Sequence, residues 1–447
     1  MYDDLRQAVH SDLSRIRDEL EAMVRIPSVS APGYPAGEVR RSADFVASLL
    51  EAAGLQDVRL LEIEGAHPAV YGHIRGPENA PTVLLYAHHD VQPPGPVDEW
   101  DDSPFDPFVR EGRLFGRGAA DDKAGIAMHL ASIRALGTDI PVTIKVFIEG
   151  EEEIGSAHLV EFLDEYTDLI ASDAIIIGDA GNWRVGTPTL TTSLRGLVDC
   201  TVTVRTLTYA VHSGSFGGAY PDANIVLARV LSSLHRNDGS VAVKGLVEHD
   251  ADALELTPEE LADQTLPVDG LELVGHGSLT SRLWTQPSIS VLAMDSVPIG
   301  QAINQIVPEA SAKVSMRIAP GQDPETARDA LISHLEAAVP WGAEIIIEPG
   351  ALGSAVDLDT VGDMYDAYRE GMRAGYDATP VETGMGGSIP FVAAFSRVYP
   401  DAAVLLIGVA DPMSRYHGPN ESVELADVAS ASIAQAVALR VLAETDH

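Results

Sequence analysis

The residue pair His88 and Asp90 follows an apolar run, Pro81 to Tyr86, whose unbroken hydrophobicity predicts a strand buried on both faces of a parallel sheet. Residues two apart on a strand share a face, so the imidazole can bind a ligand while the carboxylate lies beside it and orients it. Taken alone the pair is weak, because most such histidines are ordinary core or surface residues. The rest of the sequence has to decide between these two interpretations.

A glycine-rich segment, residues 114–125, carries the carboxylates Asp121 and Asp122 just before an apolar helix predicted for residues 126–136. Its glycines allow close backbone approach and unusual dihedral angles around the two aspartates. An aspartate at the start of a helix is also a common N-cap, and the sequence leaves that alternative open.

Acidic residues also follow two further predicted strands, residues 142–148 and 174–177. After the first come four glutamates within five residues, which are Glu149, Glu151, Glu152 and Glu153. Carboxylates this close repel one another unless a cation or solvent neutralises them, and a solvated acidic turn is the simplest alternative. The second strand ends just before Asp179.

The carboxyl ends of parallel strands meet at one edge of a sheet, so we expect the histidine and the acidic residues above to lie together. Imidazole and carboxylate ligands without a usable thiolate suit zinc, cobalt or manganese. Cys200, the only cysteine, lies in a strand-like segment and is interpreted as a small buried residue. The sequence therefore predicts a metal site at this edge.

The same residues resemble the signature set of a known enzyme family. The HxD element, the GRGxxDDK segment, EGEEEIGS, Asp179 and the terminal Arg415-Tyr416-His417-Gly418 are similar, in combination and in order, to those of the di-zinc metallopeptidases. That family includes carnosinase, cytosolic nonspecific dipeptidase, carboxypeptidase G, aminoacylase, acetylornithine deacetylase and succinyl-diaminopimelate desuccinylase. The resemblance covers nearly the whole chain and is strongest to the dipeptidase branch.

Carried over residue by residue, the resemblance implies two divalent ions per subunit, zinc in the first place, with manganese or cobalt as alternatives. It makes His88 and Asp179 ligands of one ion, Glu153 and His417 ligands of the other, and Asp121 the bridge between them. Asp90 would orient His88, and Glu152 would be the general base for attack by a water shared between the ions. It also implies a cis peptide bond between Asp121 and Asp122.

The resemblance also implies the fold. We expect an α/β catalytic domain, with a mixed, mostly parallel sheet flanked by helices, and an inserted α+β lid or dimerisation domain. The catalytic domain would comprise residues 1–190 and 349–447, and the lid residues 191–348. Within the lid, His212 would steady the developing oxyanion in a partner subunit, and Arg317 would bind the substrate carboxylate. Gly387 and Ser388, which precede an apolar helix, are assigned to the same carboxylate.

Composition restricts the function further. The 447 residues include 67 acidic and 29 basic side chains, for a net charge of −38. This charge argues against nucleic acid or an anionic membrane as a partner. The first 25 residues carry charges throughout and have apolar residues at helical spacing, so we expect an amphipathic helix instead of a secretory signal, and a cytoplasmic protein.

The sequence thus predicts a homodimeric metal-dependent dipeptidase that acts on small peptides. An N-acyl-amino-acid deacylase or a carboxypeptidase with the same chemistry is the first alternative. A catalytically silent binding protein of the same fold is a remote one, disfavoured because the ligand positions and Glu152 are all present.

Overall fold

The computed structural model describes residues 2–251, 254–387 and 389–444. The chain divides into two compact units. Unit 1 comprises Met1–Thr192, Leu358–Thr383 and Ile389–His447, and unit 2 comprises Ser193–Asp357 and Gly384–Ser388. That the chain forms separate domains divided at residues 190 and 348 stays a prediction.

The secondary structure alternates between strands and helices. The strands are β1 (Gln56–Leu61), β2 (Ala69–Ile74), β3 (Thr82–His88), β4 (Phe108–Arg110), β5 (Arg113–Phe115), β6 (Thr143–Glu149), β7 (Ala174–Gly181), β8 (Thr189–Leu194), β9 (Gly196–Arg205), β10 (Val211–His212), β11 (Ser288–Asp295), β12 (Gln305–Ile306), β13 (Glu309–Ile318), β14 (Glu344–Gly353), β15 (Val356–Asp357), β16 (Val381–Met385), β17 (Ala403–Ala410) and β18 (Ser422–Glu424). The helices are α1 (Asp3–Val24), α2 (Ala36–Ala52), α3 (Lys123–Leu136), α4 (Leu159–Glu165), α5 (Thr167–Ile170), α6 (Ser213–Phe216), α7 (Ala223–Ser232), α8 (Pro258–Thr265), α9 (Leu279–Trp284), α10 (Pro324–Ala338), α11 (Asp363–Tyr376), α12 (Pro390–Val398) and α13 (Leu425–Leu442).

The sheet of unit 1 has the strand order β1-β2-β6-β3-β7-β17-β8. Its four central strands, β6, β3, β7 and β17, run parallel, whereas the pairs β1/β2, β2/β6 and β17/β8 are antiparallel. The residues from Val83 to Ala87 are all fully buried, as their continuous hydrophobicity predicts for a central parallel strand. The predicted mixed sheet with a parallel centre is confirmed.

Helices α1, α3, α11 and α13 cover one side of this sheet. Their apolar residues form one core with strands β3, β6 and β17. One of them, α13, is long and apolar enough to cross a membrane by length and composition, with a mean hydropathy of 1.5. Because 72% of it is buried within the fold, it has the environment of a core helix.

Unit 2 contains a four-stranded antiparallel sheet in the order β11-β13-β9-β14. Burial alternates along β9 and β13, and the buried residues pack against α7 and α10. This alternation is typical of a sheet that is covered on one face only. Cys200 lies on the covered face and is buried, as predicted. The predicted fold of two helices on an antiparallel sheet is confirmed.

Candidate metal centre

Parallel strands bring the predicted ligands of unit 1 to one edge. His88 is the last residue of β3, and it pairs in register with Glu149, the last residue of β6. Asp179 lies near the carboxyl end of β7, which runs beside β3. The side chain of His88 is fully buried, whereas that of His417, which faces the same cluster, is 53% exposed.

Two histidines and three carboxylates face one another at this edge. The Nε2 atom of His88 is 3.0 Å from Asp121 Oδ1 and 3.7 Å from Asp179 Oδ1. The Nε2 atom of His417 is 2.9 Å from Asp121 Oδ2 and 3.2 Å from Glu153 Oε2. Asp121 therefore contacts each histidine through a different oxygen, which is the arrangement expected of a bridging carboxylate. The peptide bond between Asp121 and Asp122 is cis.

The four glutamates after β6 have different environments. The Glu149 carboxylate accepts a hydrogen bond from the Tyr86 hydroxyl at 2.7 Å. That of Glu151 accepts from the backbone N–H of His67 and lies 2.8 Å from Nδ1 of His158. Only the next two, Glu152 and Glu153, lie on the short 3-10 turn that faces the cluster. The structure thus separates two anchoring glutamates from two that can act in the site.

Possible ligand atoms group into two sets in which all atoms lie within 4.8 Å of one another. One set contains His88, Glu152 and Asp179, and the other contains His88, Asp121 and Glu153. Among the described residues these are the groups of three or more such side chains that meet this criterion. The seven residues of unit 1 that were predicted to bind metal or to act in catalysis therefore lie close together. They are His88, Asp90, Asp121, Glu152, Glu153, Asp179 and His417.

Asp90 lies behind His88, but its contacts differ in detail from the predicted arrangement. The Nδ1 atom of His88 is 3.1 Å from the backbone carbonyl oxygen of Asp90 and 3.4 Å from its carboxylate. The other carboxylate oxygen accepts hydrogen bonds from the Ser30 hydroxyl at 2.7 Å and from the Glu153 N–H at 3.1 Å. Asp90 therefore holds the turn that carries Glu153 as well as the imidazole of His88.

Asp122 occupies the N-cap position of α3, but its side chain makes no capping hydrogen bond. One carboxylate oxygen accepts from the backbone N–H of His88 at 3.3 Å, and the other is buried without a partner among the described residues. A Cβ atom on Gly125 would lie 2.3 Å from that second oxygen. The alternative of a simple N-capping aspartate therefore accounts for the position of Asp122 but not for its contacts.

The charges of this cluster are poorly balanced by the protein alone. Burial, and then the charge of Asp179, raises the pKa of Glu152 well above its usual range. Burial and the charge of Asp121 raise the pKa of Glu153 to about 7. Hydrogen bonds to Asp121 and Glu153 raise the pKa of His417 to about 10. Carboxylates crowded in a buried site acquire such shifts when no cation is close to them.

The donor set therefore fits divalent cations well. Two imidazoles and at least three carboxylates converge, and a divalent charge would favour the ionised form of each carboxylate again. Nitrogen and oxygen donors in this ratio suit zinc, manganese or cobalt. The ions would be held where the two histidines, His88 and His417, contact the carboxylate of Asp121.

A buried ion pair, which sequence reasoning missed, supports this site. Glu421 and Arg117 are almost completely buried and are joined by a contact of 2.6 Å between Oε2 and Nη1. The Glu421 carboxylate also accepts from the backbone N–H groups of Gly118, Ala120 and Asp121 at 2.9 to 3.1 Å. It thus links the loop that carries Asp121 to the turn that carries His417. No sequence pattern marks Glu421, which is about 300 residues away from its partners.

Glu421→Gln is expected to weaken zinc binding about 10- to 100-fold, because residues that orient metal ligands typically contribute this much to affinity. The variant leaves Arg117 without its buried counter-charge and places an amide N–H₂ group against backbone N–H groups. The affinity is measured by competition with a chelating dye on metal-stripped protein. Glu424→Gln is the control. Its carboxylate lies on the same segment, but its contact with an arginine, Arg113, is longer, at 3.9 Å. An unchanged affinity in folded Glu421→Gln protein would contradict this role.

The other predicted site residues belong to unit 2 or lie outside the described residues. His212 is exposed at the end of β10, and its Nδ1 atom accepts a hydrogen bond from the N–H of Gly214 at 3.1 Å. Arg317 is half-buried on β13, and Gly387 follows β16. Ser388 is outside the described residues. Their assignment to substrate binding stays a prediction.

Comparison with known proteins identifies the family. The sequence profile described as Peptidase family M20/M25/M40 matches residues 84–440, which is well over half of the chain. The chain belongs to this peptidase family. It is therefore a hydrolase that acts on peptide bonds, as the resemblance implies.

Individual relatives of this peptidase are dipeptidases. The cysteinylglycine-S-conjugate dipeptidase of Corynebacterium striatum is 33% identical over 433 residues, which cover 94% of both chains. The Beta-Ala-His dipeptidase of Rattus norvegicus is 26% identical over 378 residues, which cover 80% of this chain and 76% of that protein. The structure of the dipeptidase Dug1p from Saccharomyces cerevisiae matches 100% of this chain and 99% of its own with a TM-score of 0.85 at 24% identity, a similarity of fold. The predicted family resemblance is confirmed.

Proposed function

We propose that this peptidase hydrolyses the peptide bond of dipeptides with the help of two divalent metal ions. The observation that carries this proposal is that two imidazoles meet the Asp121 carboxylate at the edge of the parallel sheet, with the carboxylates of Asp179 and Glu153 beside them. The dipeptide part rests on the relatives, which are named for cysteinylglycine S-conjugates and for β-alanylhistidine.

The proposed ligands divide into two sets that share Asp121. His88 and Asp179 would hold one ion, and Glu153 and His417 the other. The pairs within each set are supported by the distances of 3.7 Å between His88 and Asp179 and of 3.2 Å between His417 and Glu153. When bound, the ions would lower the pKa of a water molecule and polarise the scissile carbonyl group. Zinc is the proposed metal, with manganese or cobalt as alternatives.

Glu152 would act as the general base. It precedes the ligand Glu153 on the same 3-10 turn, and its carboxylate lies within 4.8 Å of the ligand atoms of His88 and Asp179. From there the carboxylate can take a proton from the attacking water and pass it to the nitrogen of the leaving amine.

The assembly proposed is a homodimer formed through unit 2. Strand β11 is an edge strand of the unit 2 sheet, and it exposes three apolar side chains, Val291, Leu292 and Met294. An apolar edge of this kind is a template for pairing with a second copy. His212 would then steady the oxyanion in the partner. Since its Nδ1 atom accepts a hydrogen bond, the neutral ring carries its proton on Nε2 and can donate it.

Leu292→Asp combined with Met294→Asp is expected to shift the protein from dimer to monomer, because two buried charges in an interface of ordinary size would outweigh its apolar contacts. Light scattering during size-exclusion chromatography gives the mass directly. Leu352→Asp, on the opposite edge strand β14, is the control. A wild-type protein that is monomeric at micromolar concentration would disprove the dimer.

The location proposed is cytoplasmic. Its test is fractionation of the native host followed by immunoblotting.

The main test is a substrate panel with metal-stripped protein refilled with zinc, manganese or cobalt. Free dipeptides such as cysteinylglycine, its S-conjugates and β-alanylhistidine are compared with N-acetyl amino acids, tripeptides and longer peptides. Cleavage of free dipeptides that depends on added metal is the expected result. Preference for acetylated amino acids would move the function to deacylation, preference for longer peptides would favour a carboxypeptidase, and no hydrolysis at all would favour a binding protein.

A further inference from the structure

The segment that follows α1 packs beside the end of β3. Val29 and Val91 form a parallel bridge there, and the N–H of Val91 donates to the carbonyl oxygen of Ser28 at 3.0 Å. The Ser28 hydroxyl in turn donates to the carbonyl oxygen of His89 at 2.6 Å. These contacts fix the backbone of residues 28–30 against the residues that follow β3.

A buried lysine holds the start of this segment. Lys123, the first residue of α3, is fully buried, and its ammonium group donates to the carbonyl oxygens of Met23 and Ile26, each at 2.9 Å. Lys123 directly follows Asp121 and Asp122 in the chain. The segment is therefore tied both to the loop of the proposed bridging ligand and to the end of β3.

Within this segment, Ser30 directs a buried hydroxyl group at Asp90. The residue is only 5% exposed, and its Oγ atom lies 2.7 Å from Oδ2 of Asp90. An ionised carboxylate only accepts hydrogen bonds, so the hydroxyl donates to Oδ2. The same oxygen accepts from the N–H of Glu153 at 3.1 Å, whereas Oδ1 makes no hydrogen bond to a described residue and lies 3.4 Å from Nδ1 of His88. One oxygen is thus held by two donors, and the other is left to the imidazole.

Asp90 thereby contacts both proposed ligand sets. His88 belongs to one set and Glu153 to the other, and the N–H that Asp90 binds is that of the peptide bond between Glu152 and Glu153. A rotation of the Asp90 side chain would therefore disturb a ligand of each ion and the general base together. A hydroxyl donor on a fixed segment opposes this rotation, as outer partners of metal ligands do.

We propose that Ser30 is a positioning residue for hydrolysis by this peptidase. By fixing the Asp90 carboxylate, its hydroxyl sets the orientation of the His88 imidazole and of the turn that carries the general base. This inference rests on the proposed function. Because Ser30 acts through Asp90, its loss is expected to change metal affinity and kcat, but not KM.

The experiment compares wild type, Ser30→Ala, Ser30→Thr and the control Ser28→Ala. Zinc affinity is measured by competition with a chelating dye on metal-stripped protein, and kcat and KM with a free dipeptide. Ser30→Ala should weaken zinc binding and lower kcat, each about 10-fold, with KM within about twofold of wild type. Ser30→Thr keeps the hydroxyl and should regain most of both. Ser28→Ala removes an equally buried hydroxyl, but the His89 carbonyl keeps the Ser42 hydroxyl as a donor at 3.3 Å, so zinc affinity should match wild type.

A double-mutant cycle tests whether the effect passes through Asp90. In Asp90→Ala protein the Ser30 hydroxyl has lost its acceptor, so the addition of Ser30→Ala should change zinc affinity by less than about twofold. The visible absorption spectrum of the cobalt-loaded protein is a second readout, because it reports the ligand geometry of the ion. We expect Ser30→Ala to shift this spectrum and Ser28→Ala to leave it unchanged.

The outcomes separate this proposal from the proposed function. If wild type binds neither zinc nor cobalt, or cleaves no dipeptide, the proposed function fails. If wild type does both and Ser30→Ala matches it in zinc affinity and kcat, the role of Ser30 is wrong. Equal losses in Ser30→Ala and Ser28→Ala, or an undiminished loss from Ser30→Ala in Asp90→Ala protein, would reduce Ser30 to a purely structural role. If Ser30→Ala does not fold, Ser30→Cys replaces it, since a thiol is a weak donor and should cause the same losses.

Discussion

Glu152→Gln lowers kcat about 10³-fold while both metal ions stay bound, which is the expected result for loss of a general base. The amide has nearly the shape of the carboxylate but cannot accept the proton of the attacking water. Because Glu152 is not among the five proposed ligands, its replacement should leave the metal content intact. Steady-state kinetics and elemental analysis of the same preparation provide the two measurements.

The matched control is Glu149→Gln. This residue belongs to the same acidic segment, is also buried, and its pKa is raised to about 7 by burial, but its carboxylate accepts a hydrogen bond from Tyr86 and does not belong to the metal-binding sets. We expect it to retain most of the wild-type activity. Comparable losses in both variants would mean that the segment matters through its stability, and the assignment of Glu152 would be wrong.

Asp121→Asn is expected to remove both metal ions and to lower kcat/KM about 10⁴-fold, which corresponds to about 5 kcal/mol of transition-state stabilisation. The reason is geometric, since its two oxygens contact His88 and His417 separately, and no other carboxylate among the described residues does the same. An amide provides one weak ligand oxygen in place of two charged ones. Metal content after dialysis and kcat/KM for a free dipeptide are the measurements.

Glu153→Gln gives the informative contrast. It should lose the ion held with His417 and keep the ion held by His88 and Asp179, so that the metal content falls by half and not to zero. If Asp121→Asn retained one ion with full occupancy, Asp121 would not be the bridge. If Glu153→Gln lost both ions, the two proposed ligand sets would not be independent.

The sequence predicts well what local patterns encode. Continuous apolar runs located β3, β6 and β7, and the residues that follow each run fell at one edge of the sheet because parallel neighbours align their carboxyl ends. His88 and Asp179 therefore met as predicted, although they are 91 positions apart in the chain. The spacing of these residues, together with the later histidine, was enough to indicate the family.

Other features depended on contacts between distant segments. The sequence presents four similar glutamates, and only the fold separates Glu149 and Glu151, which bind Tyr86 and His67, from the two that face the metal centre. A run of one residue type contains no information about which member meets which partner. That choice is made when β6 is packed against β3 and the turn is held by Asp90.

The sequence by itself determined the types of the reactive groups, the strands that carry most of them and the chemistry they can do. Only the tertiary structure decided that Glu421 holds the Asp121 loop. The physical reason is that periodicity reports how one segment meets its surroundings, whereas a buried charge is defined by what the rest of the chain brings to it. The energies that position this site are therefore those of long-range polar contacts, which no local pattern encodes.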